Sequence, residues 1–322
     1  MKSLLFYFCL VVLVDGLFAA EATWQPSPGF QEISLWPGAV PHPQPDTGPE
    51  VLMVSKEKFY VAGRSVAMLA SVSKPTMTVY PAKGRNTGAA VVVFPGGGYE
   101  DLAMDLEGTE VCDWLTAKGV TCVLLKYRVP GPGFYPKPAP YRKSGPYPRS
   151  PVALADAQRA IKLVRAHAAE WKIDPQKIGV LGFSAGGHLV AATSTQFNNP
   201  LYPAVDDTDK ESCRPDFAVA LYPGHLWNYN HVEHPPFKLN PAIPVTRETP
   251  PTFILQAEDD PVDDVNNSLV YYIALKEVEV PVEMHLYAQG GHAFGLRRTK
   301  LPITGWPDLV DKWLVTIGMM PE

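Results

Sequence analysis

The sequence predicts an α/β domain built on a doubly wound, mostly parallel sheet flanked by helices. Unbroken apolar runs recur at Ala89 to Phe94, Val120 to Lys126, Phe217 to Tyr222 and Thr252 to Ala257. Runs of that length and composition are expected of strands buried on both faces. Helix-period segments alternate with them, as parallel crossovers require. Several of the runs end in Gly-rich or acidic turns, which would collect at the C-terminal edge of the sheet, where open α/β sheets bind ligands. The chain has 322 residues, 46% of them hydrophobic, enough to bury one large core. No internal repeat or second composition regime divides it.

The formal net charge is −5 and no basic stripe is present, so a nucleic-acid partner is not expected. Residues 1–22 read as a signal peptide. Lys2 supplies a positive start, Leu4 to Val14 an apolar stretch, and Ala19, Ala20 and Ala22 small residues for cleavage. Residues 23–322 would then form one domain that is secreted or periplasmic, without stable membrane association. Cys9 would leave with the signal. Cys112, Cys122 and Cys213 would remain as an odd set of buried structural thiols rather than a disulfide scaffold, and their spacing fits no zinc site.

Taken in order, residues 23–60 are rich in Pro and Gly and read as a wrapping arm with little regular structure. Thr76 to Tyr80 alternates as a strand does. Ala89 to Phe94 follows and ends in Pro95-Gly96-Gly97-Gly98-Tyr99, a turn whose backbone N–H groups can point outward. Glu107 to Lys118 is an amphipathic helix stopped by Gly119, and Val120 to Lys126 is the next strand. Residues 129–150, crowded with proline and aromatic residues, read equally as a substrate-facing lid or as a surface excursion. Pro151 to Trp171 is a strong helix. Ile178 to Phe183 is a strand, followed by Ser184 and a helix-permissive run. Residues 224–251 hold Trp227 and three close histidines, His225, His231 and His234, without a metal-ligand pattern. Thr252 to Ala257 leads into the acidic turn Glu258 to Asp264. Ser268 to Val278 is a helix, Val282 to Tyr287 the last strand, Gln289 to Gly295 a glycine-flanked turn carrying His292, and Asp308 to Ile317 the last helix.

The chemistry gathers around Gly182-Phe183-Ser184-Ala185-Gly186. A serine on a sharp strand-to-helix turn is exposed at the top of a sheet, and the N–H of the next residue, Ala185, faces a developing oxyanion. The glycines remove side chains that would clash. Serine needs a base within hydrogen-bond reach, and the base needs an orienting acid. His292 is the best-placed histidine, and His188 reads as a support. The acid lies among Glu258, Asp259, Asp260, Asp263 and Asp264. Asp259 and Asp260 are the two placed to reach over the strand end, and the residues away from His292 are expected to be solvated.

These residues resemble the α/β-hydrolase fold, and within it the bacterial feruloyl and acetyl-xylan esterases, distant relatives of hormone-sensitive-lipase-type esterases. The resemblance runs through Leu35-Trp36-Pro37-Gly38, Phe94 to Tyr99, Lys126-Tyr127-Arg128, Asp156 to Ala160, Gly182 to His188 and Gly290 to Gly295. It implies a catalytic triad of Ser184, His292 and, from the pattern of Asp followed by Pro, Asp260, with Asp259 as runner-up. It implies an oxyanion hole from the N–H groups of Gly97, Gly98 and Ala185, and no cofactor or metal. Pro95 departs from relatives that carry His there, and Asp263-Asp264 from relatives that carry Val-Pro. The function implied is deacylation of acylated carbohydrate such as acetylated xylan, with Tyr99, Tyr135 and Trp227 stacking on sugars. A prolyl-oligopeptidase-like peptidase, a general carboxylesterase and a non-catalytic binding protein are the alternatives.

Overall fold

The computed structural model describes residues 18–21, 23–42, 48–57, 60–132, 150–228 and 236–321. In chain order its strands are β1 (Phe18–Glu21), β2 (Glu32–Ser34), β3 (Val51–Ser55), β4 (Ala67–Ala70), β5 (Thr76–Tyr80), β6 (Ala90–Phe94), β7 (Asp101–Ala103), β8 (Thr121–Lys126), β9 (Ile178–Phe183), β10 (Phe217–Leu221), β11 (Thr252–Ala257) and β12 (Val282–Tyr287). The helices are α1 (Glu110–Ala117), α2 (Ser150–Ala166), α3 (Ala185–Thr195), α4 (Asn266–Glu277) and α5 (Trp306–Thr316).

The main sheet has the order β12-β11-β10-β9-β6-β8-β5-β2. The strands from β12 to β8 run parallel, and β5 and then β2 add antiparallel at the far edge. Every residue of β6, β8, β9, β10 and β11 is buried, which explains why these strands read as unbroken apolar runs. The crossover from β6 to β8 moves one way across the sheet and those from β8 through β12 move the other. Right-handed crossovers therefore put α1 on one face and α2, α3 and α4 on the opposite face. Trp306 of α5 packs edge-on against Trp114 of α1, 5.3 Å between centroids, which seats α5 beside α1. The reversal falls between neighbouring strands β6 and β9. Their C-terminal ends carry Pro95 to Tyr99 and Ser184, so the crevice of the sheet opens between those two segments.

The arm differs from its expectation. Within 23–60 the chain forms β2 and β3, and β3 belongs to a second, antiparallel sheet of order β1-β3-β4-β7. These strands span three to five residues between prolines and glycines, too short for their alternation to stand out. Residues 18–21, at the end of the predicted signal, form the edge strand of that sheet. The arm is fastened by buried charge. Asp156 receives Arg128 through both carboxylate oxygens and Trp36 Nε1 at 2.9 Å, while Arg128 also donates to the Pro41 carbonyl at 2.6 Å. Arg159 donates to the Leu35 carbonyl at 2.9 Å and pairs with Asp206. Lys126 reaches Glu32 at 2.7 Å and Glu50 at 3.1 Å.

The helix predicted from Glu107 begins instead as a π-helical turn over Asp105–Thr109, and only then becomes α1. The wider turn rotates Glu107 inward, and it is 2% exposed. The cysteines differ as well. Cys112 and Cys122 form a disulfide, and Cys213 is a buried free thiol. Gly119, at φ +79°, turns the chain from α1 straight into β8, where a side chain would meet the Arg85 carbonyl. That tight return brings the two cysteine Cα atoms to 5.1 Å. Segments 133–149 and 229–235, including Tyr135, His231 and His234, lie outside the described residues.

Closing a loop of 10 residues stabilises a fold by about 2–3 kcal/mol through the unfolded chain. The double variant Cys112→Ser, Cys122→Ser is expected to lose that amount in urea denaturation. Equal midpoints for wild type and variant under oxidising conditions would contradict the cross-link.

Candidate active site

Ser184 follows β9 at φ +52°, ψ −116°, a conformation that costs free energy for any residue with a side chain. Gly182 and Gly186 make it possible. A side chain on Gly182 would run into the Gly186 carbonyl, and one on Gly186 into the Phe94 carbonyl. The Ser184 N–H donates to the Leu221 carbonyl at 3.0 Å, tying the turn to β10.

The Ser184 hydroxyl lies 2.9 Å from His292 Nε2, and His292 Nδ1 lies 2.7 Å from Asp260 Oδ2. The other oxygen of Asp260 accepts the N–H groups of Val262 and Asp263 at 2.8 and 3.0 Å. Asp259 has different work. Its Oδ1 accepts the N–H groups of Gly290 and Gly291, both at 2.8 Å, and so holds the turn that carries His292. Asp264 Oδ1 accepts the Asn266 N–H at 2.8 Å at the start of α4. The acidic turn thus sends neighbouring carboxylates to separate jobs.

Asp263 overturns the expectation that the remaining acids are solvated. It is 6% exposed, and its Oδ2 accepts the Ser184 hydroxyl at 3.3 Å. The chain can pack it there because Gly224, opposite, has no side chain. Burial raises its pKa to about 6, against the opposing pull of His292. For His292, burial disfavours the imidazolium. The hydrogen bond to Asp260, and then the charges of Asp263, Asp260 and Glu107, outweigh burial and lift its pKa above the ordinary 6.5.

Glu107 and Tyr222 form the floor of the site. Glu107 Oε2 accepts the Gly96 N–H and Oε1 the Tyr222 hydroxyl, both at 2.8 Å. The Tyr222 oxygen accepts the Gly295 N–H at 3.2 Å, and the Tyr222 ring stands edge-on to His292 at 5.0 Å. One buried carboxylate therefore connects the glycine turn after β6 to the histidine turn after β12. Burial raises the Glu107 pKa, and it also pushes the Tyr222 phenol well above its ordinary value. Arg297 adds a second link. It donates to Asp105 at 3.0 Å, to Glu110 at 2.8 Å and to the Ser65 carbonyl at 2.7 Å.

Gly97 is at φ +135°, and a side chain there would collide with Asp101. Among the described residues, the N–H groups of Gly97 and Ala185 donate to no protein acceptor. Gly97 and Gly98 line a cavity of about 360 Å³ with Ser184, Glu107 and His292. Its far wall is apolar and comes from Val61, Val66, Met68, Ala103 and Leu106, largely the second sheet and its flanks.

One predicted substrate contact is corrected. Tyr99 is 1% exposed, its hydroxyl lies 2.8 Å from His188 Nδ1, and its ring packs near Tyr127, so it supports α3 from below. It cannot stack on a sugar. Trp227 is half-buried, donates through Nε1 to the Pro236 carbonyl at 3.0 Å and is not among the residues lining this cavity. His188 is buried and its pKa is pushed down to about 4, which keeps it neutral. No cluster of His, Cys, Asp and Glu able to hold a metal occurs among the described residues. Sequence reasoning missed Glu107, Tyr222 and Asp263 as site residues. Glu107 was masked by the helical period that the π-turn breaks, Tyr222 by its place at a strand end, and Asp263 by the crowd of acids around it.

A strand-turn-helix serine, a histidine between it and an aspartate, and two outward N–H groups define a hydrolase of the α/β type. Comparison with known proteins agrees. A family described as alpha/beta hydrolase fold matches residues 139–296. The acetyl ester-xyloside bifunctional hydrolase from Caldicellulosiruptor lactoaceticus superposes with a TM-score of 0.67 at 31% identity, covering 90% of this chain and 97% of that one. The chain belongs to the α/β-hydrolase fold family. Its relatives include an acetylxylan esterase from Xylanibacter ruminicola, 28% identical over 65% of this chain, and endo-1,4-beta-xylanase B from Butyrivibrio fibrisolvens, 28% identical over 67%. The chain spans 42% and 34% of the length of those two proteins.

Tyr222→Phe strips the partner from both Glu107 Oε1 and the Gly295 N–H. Leaving such groups buried and unsatisfied costs about 1–3 kcal/mol. Chemical denaturation is expected to show a loss of that size, and an unchanged midpoint would contradict the network.

Proposed function

We propose that the protein is a secreted serine carboxylic-ester hydrolase that removes acyl groups from acylated carbohydrate such as acetylated xylan. The observation that carries this reading is the hydrogen-bonded line Asp260–His292–Ser184 beside the unengaged N–H groups of Gly97 and Ala185. In the proposed mechanism His292 Nε2 takes the Ser184 proton as Oγ attacks the ester carbonyl. Asp260 holds the imidazole in the tautomer with its proton on Nδ1 and stabilises its charged form. The N–H groups of Gly97 and Ala185, with Gly98 beside them, receive the oxyanion. Each such donor is typically worth roughly 3–4 kcal/mol. The imidazolium then protonates the leaving alcohol, and water, deprotonated by His292, releases the acid. No step calls on a metal or cofactor.

The carbohydrate part draws on the names of the relatives, an acetylxylan esterase, an endo-1,4-beta-xylanase and an acetyl ester-xyloside hydrolase. A general carboxylesterase is the second reading, favoured by the apolar wall beside Ser184. Export draws on residues 1–22 and on the Cys112–Cys122 disulfide, a bond that persists in oxidising compartments. Among the described residues, no helix is long and apolar enough to cross a membrane.

Rates on 4-nitrophenyl acetate, acetylated xylan, methyl ferulate and a prolyl peptide test the reading. Ester hydrolysis is expected, with Ser184→Ala reducing kcat by roughly 10⁵–10⁶-fold. Asp260→Asn is expected to cost roughly 10⁴-fold and Asp259→Asn far less. Ester turnover that survives Ser184→Ala would sink the mechanism. Because the base must be neutral and its pKa is raised, activity is expected to fall as pH drops through a value above 6.5. An acid limb centred below 6.5 would contradict that assignment.

A further inference from the structure

Asp263 is a buried carboxylate that the triad does not use. Among the described residues its one hydrogen-bond donor is the Ser184 hydroxyl, at 3.3 Å. Its Oδ2 also lies 3.9 Å from His292 Nε2. Its backbone is fixed, since its N–H donates to Asp260 and its carbonyl accepts Gln256 Nε2 at 2.5 Å, with Ser268 donating in turn to Gln256. A glycine at position 224 leaves space for the carboxylate, and a side chain there would strike it. Burying an acid with so few partners costs stability, and such costs are characteristic of functional sites.

We propose that Asp263 is a second catalytic carboxylate, placed on the Nε2 side of His292 to stabilise the imidazolium that forms when Ser184 gives up its proton. This rests on the ester-hydrolase reading of the site. The imidazole then has a carboxylate at each end, Asp260 at Nδ1 and Asp263 near Nε2. Among the described residues, the other ionisable groups facing the ring are Glu107 from the π-helical turn, Tyr222 from the end of β10 and Ser184 itself. Asp101 lines the same cavity.

The proton balance follows from the distances. The Ser184 hydroxyl has one proton and two acceptors, at 2.9 Å on His292 and 3.3 Å on Asp263. As the Oγ–carbon bond forms, the proton passes to Nε2, the nearer and more basic acceptor, and the carbonyl electron pair moves to oxygen. Asp263 exchanges no proton and its charge faces the new cation. When the ester C–O bond breaks, Nε2 returns the proton to the leaving oxygen. The same cation forms again when water attacks the acyl-enzyme, so Asp263 serves both halves of the reaction.

The test uses the full chain carrying Asp263→Asn, which keeps the shape and removes the charge, with Asp263→Ser as a second variant should the first not fold. Plateau kcat on 4-nitrophenyl acetate is expected to fall about tenfold or more, with KM changed much less. A nearby charge shifts a pKa by about 1–3 units, so its loss is expected to move the acid limb at least about one unit lower. NMR titration of the His292 ring is expected to show the same downward shift. A kcat loss with the acid limb and the His292 titration unmoved would assign Asp263 a structural role and overturn the proposal. So would an unchanged or increased kcat. A wild type inert to every ester would instead sink the hydrolase reading, and the His292 titration would still report the charge of Asp263.

Discussion

The close approach of two backbones organises the molecule. At Gly182 and Gly186 the end of β9 and the start of α3 come so near the Phe94 carbonyl that no side chain fits between them. That contact forces the chain to reverse within one residue, and Ser184 takes the strained conformation that results. It also sets Ser184 beside the glycine turn after β6, because β6 and β9 are paired in register. The strain is offset elsewhere, by five strands buried along their whole length and by the hydrogen bond from Ser184 to β10.

The charge around His292 follows from where later strands end. The turn after β11 supplies Asp260 and Asp263, and the π-turn before α1 supplies Glu107. Burial works against the charges of Asp263 and Glu107, yet the carboxylates around His292 together favour a cation in their midst. Such an arrangement suits a site whose cation appears only during reaction, since the compensating charges need not be assembled at that moment. Neutral His188 and the high-pKa phenol of Tyr222 sit nearby without adding charge of their own.

The parallel strands were legible because burial on both faces removes polar residues from them, and Val282 to Tyr287 was legible as the strand before the histidine turn. Ser184 and His292 were legible through the glycines that their turns require. The second sheet was not, because strands as short as β3 and β7 gain their stability from pairing with distant segments rather than from a local pattern. The disulfide was hidden for a related reason. Counting cysteines fixes parity, while the 5.1 Å approach depends on how α1 returns to β8. Asp263 could not be singled out among its acidic neighbours until the cleft beside Gly224 was known. Tyr99 misled because aromatic character next to a glycine turn says nothing about which way the ring faces.

The arm has a consequence for how the chain acquires its shape. Trp36 meets Asp156, 120 residues downstream, and Arg159 meets the Leu35 carbonyl across 124. A ribosome has to add well over a hundred residues after the arm before these two anchors exist. Until then the arm is held only by nearer partners, first β5 and then Lys126 and Arg128, and contacts of such long range form slowly. The arm, made before these anchors, is therefore among the last segments to be fully fastened.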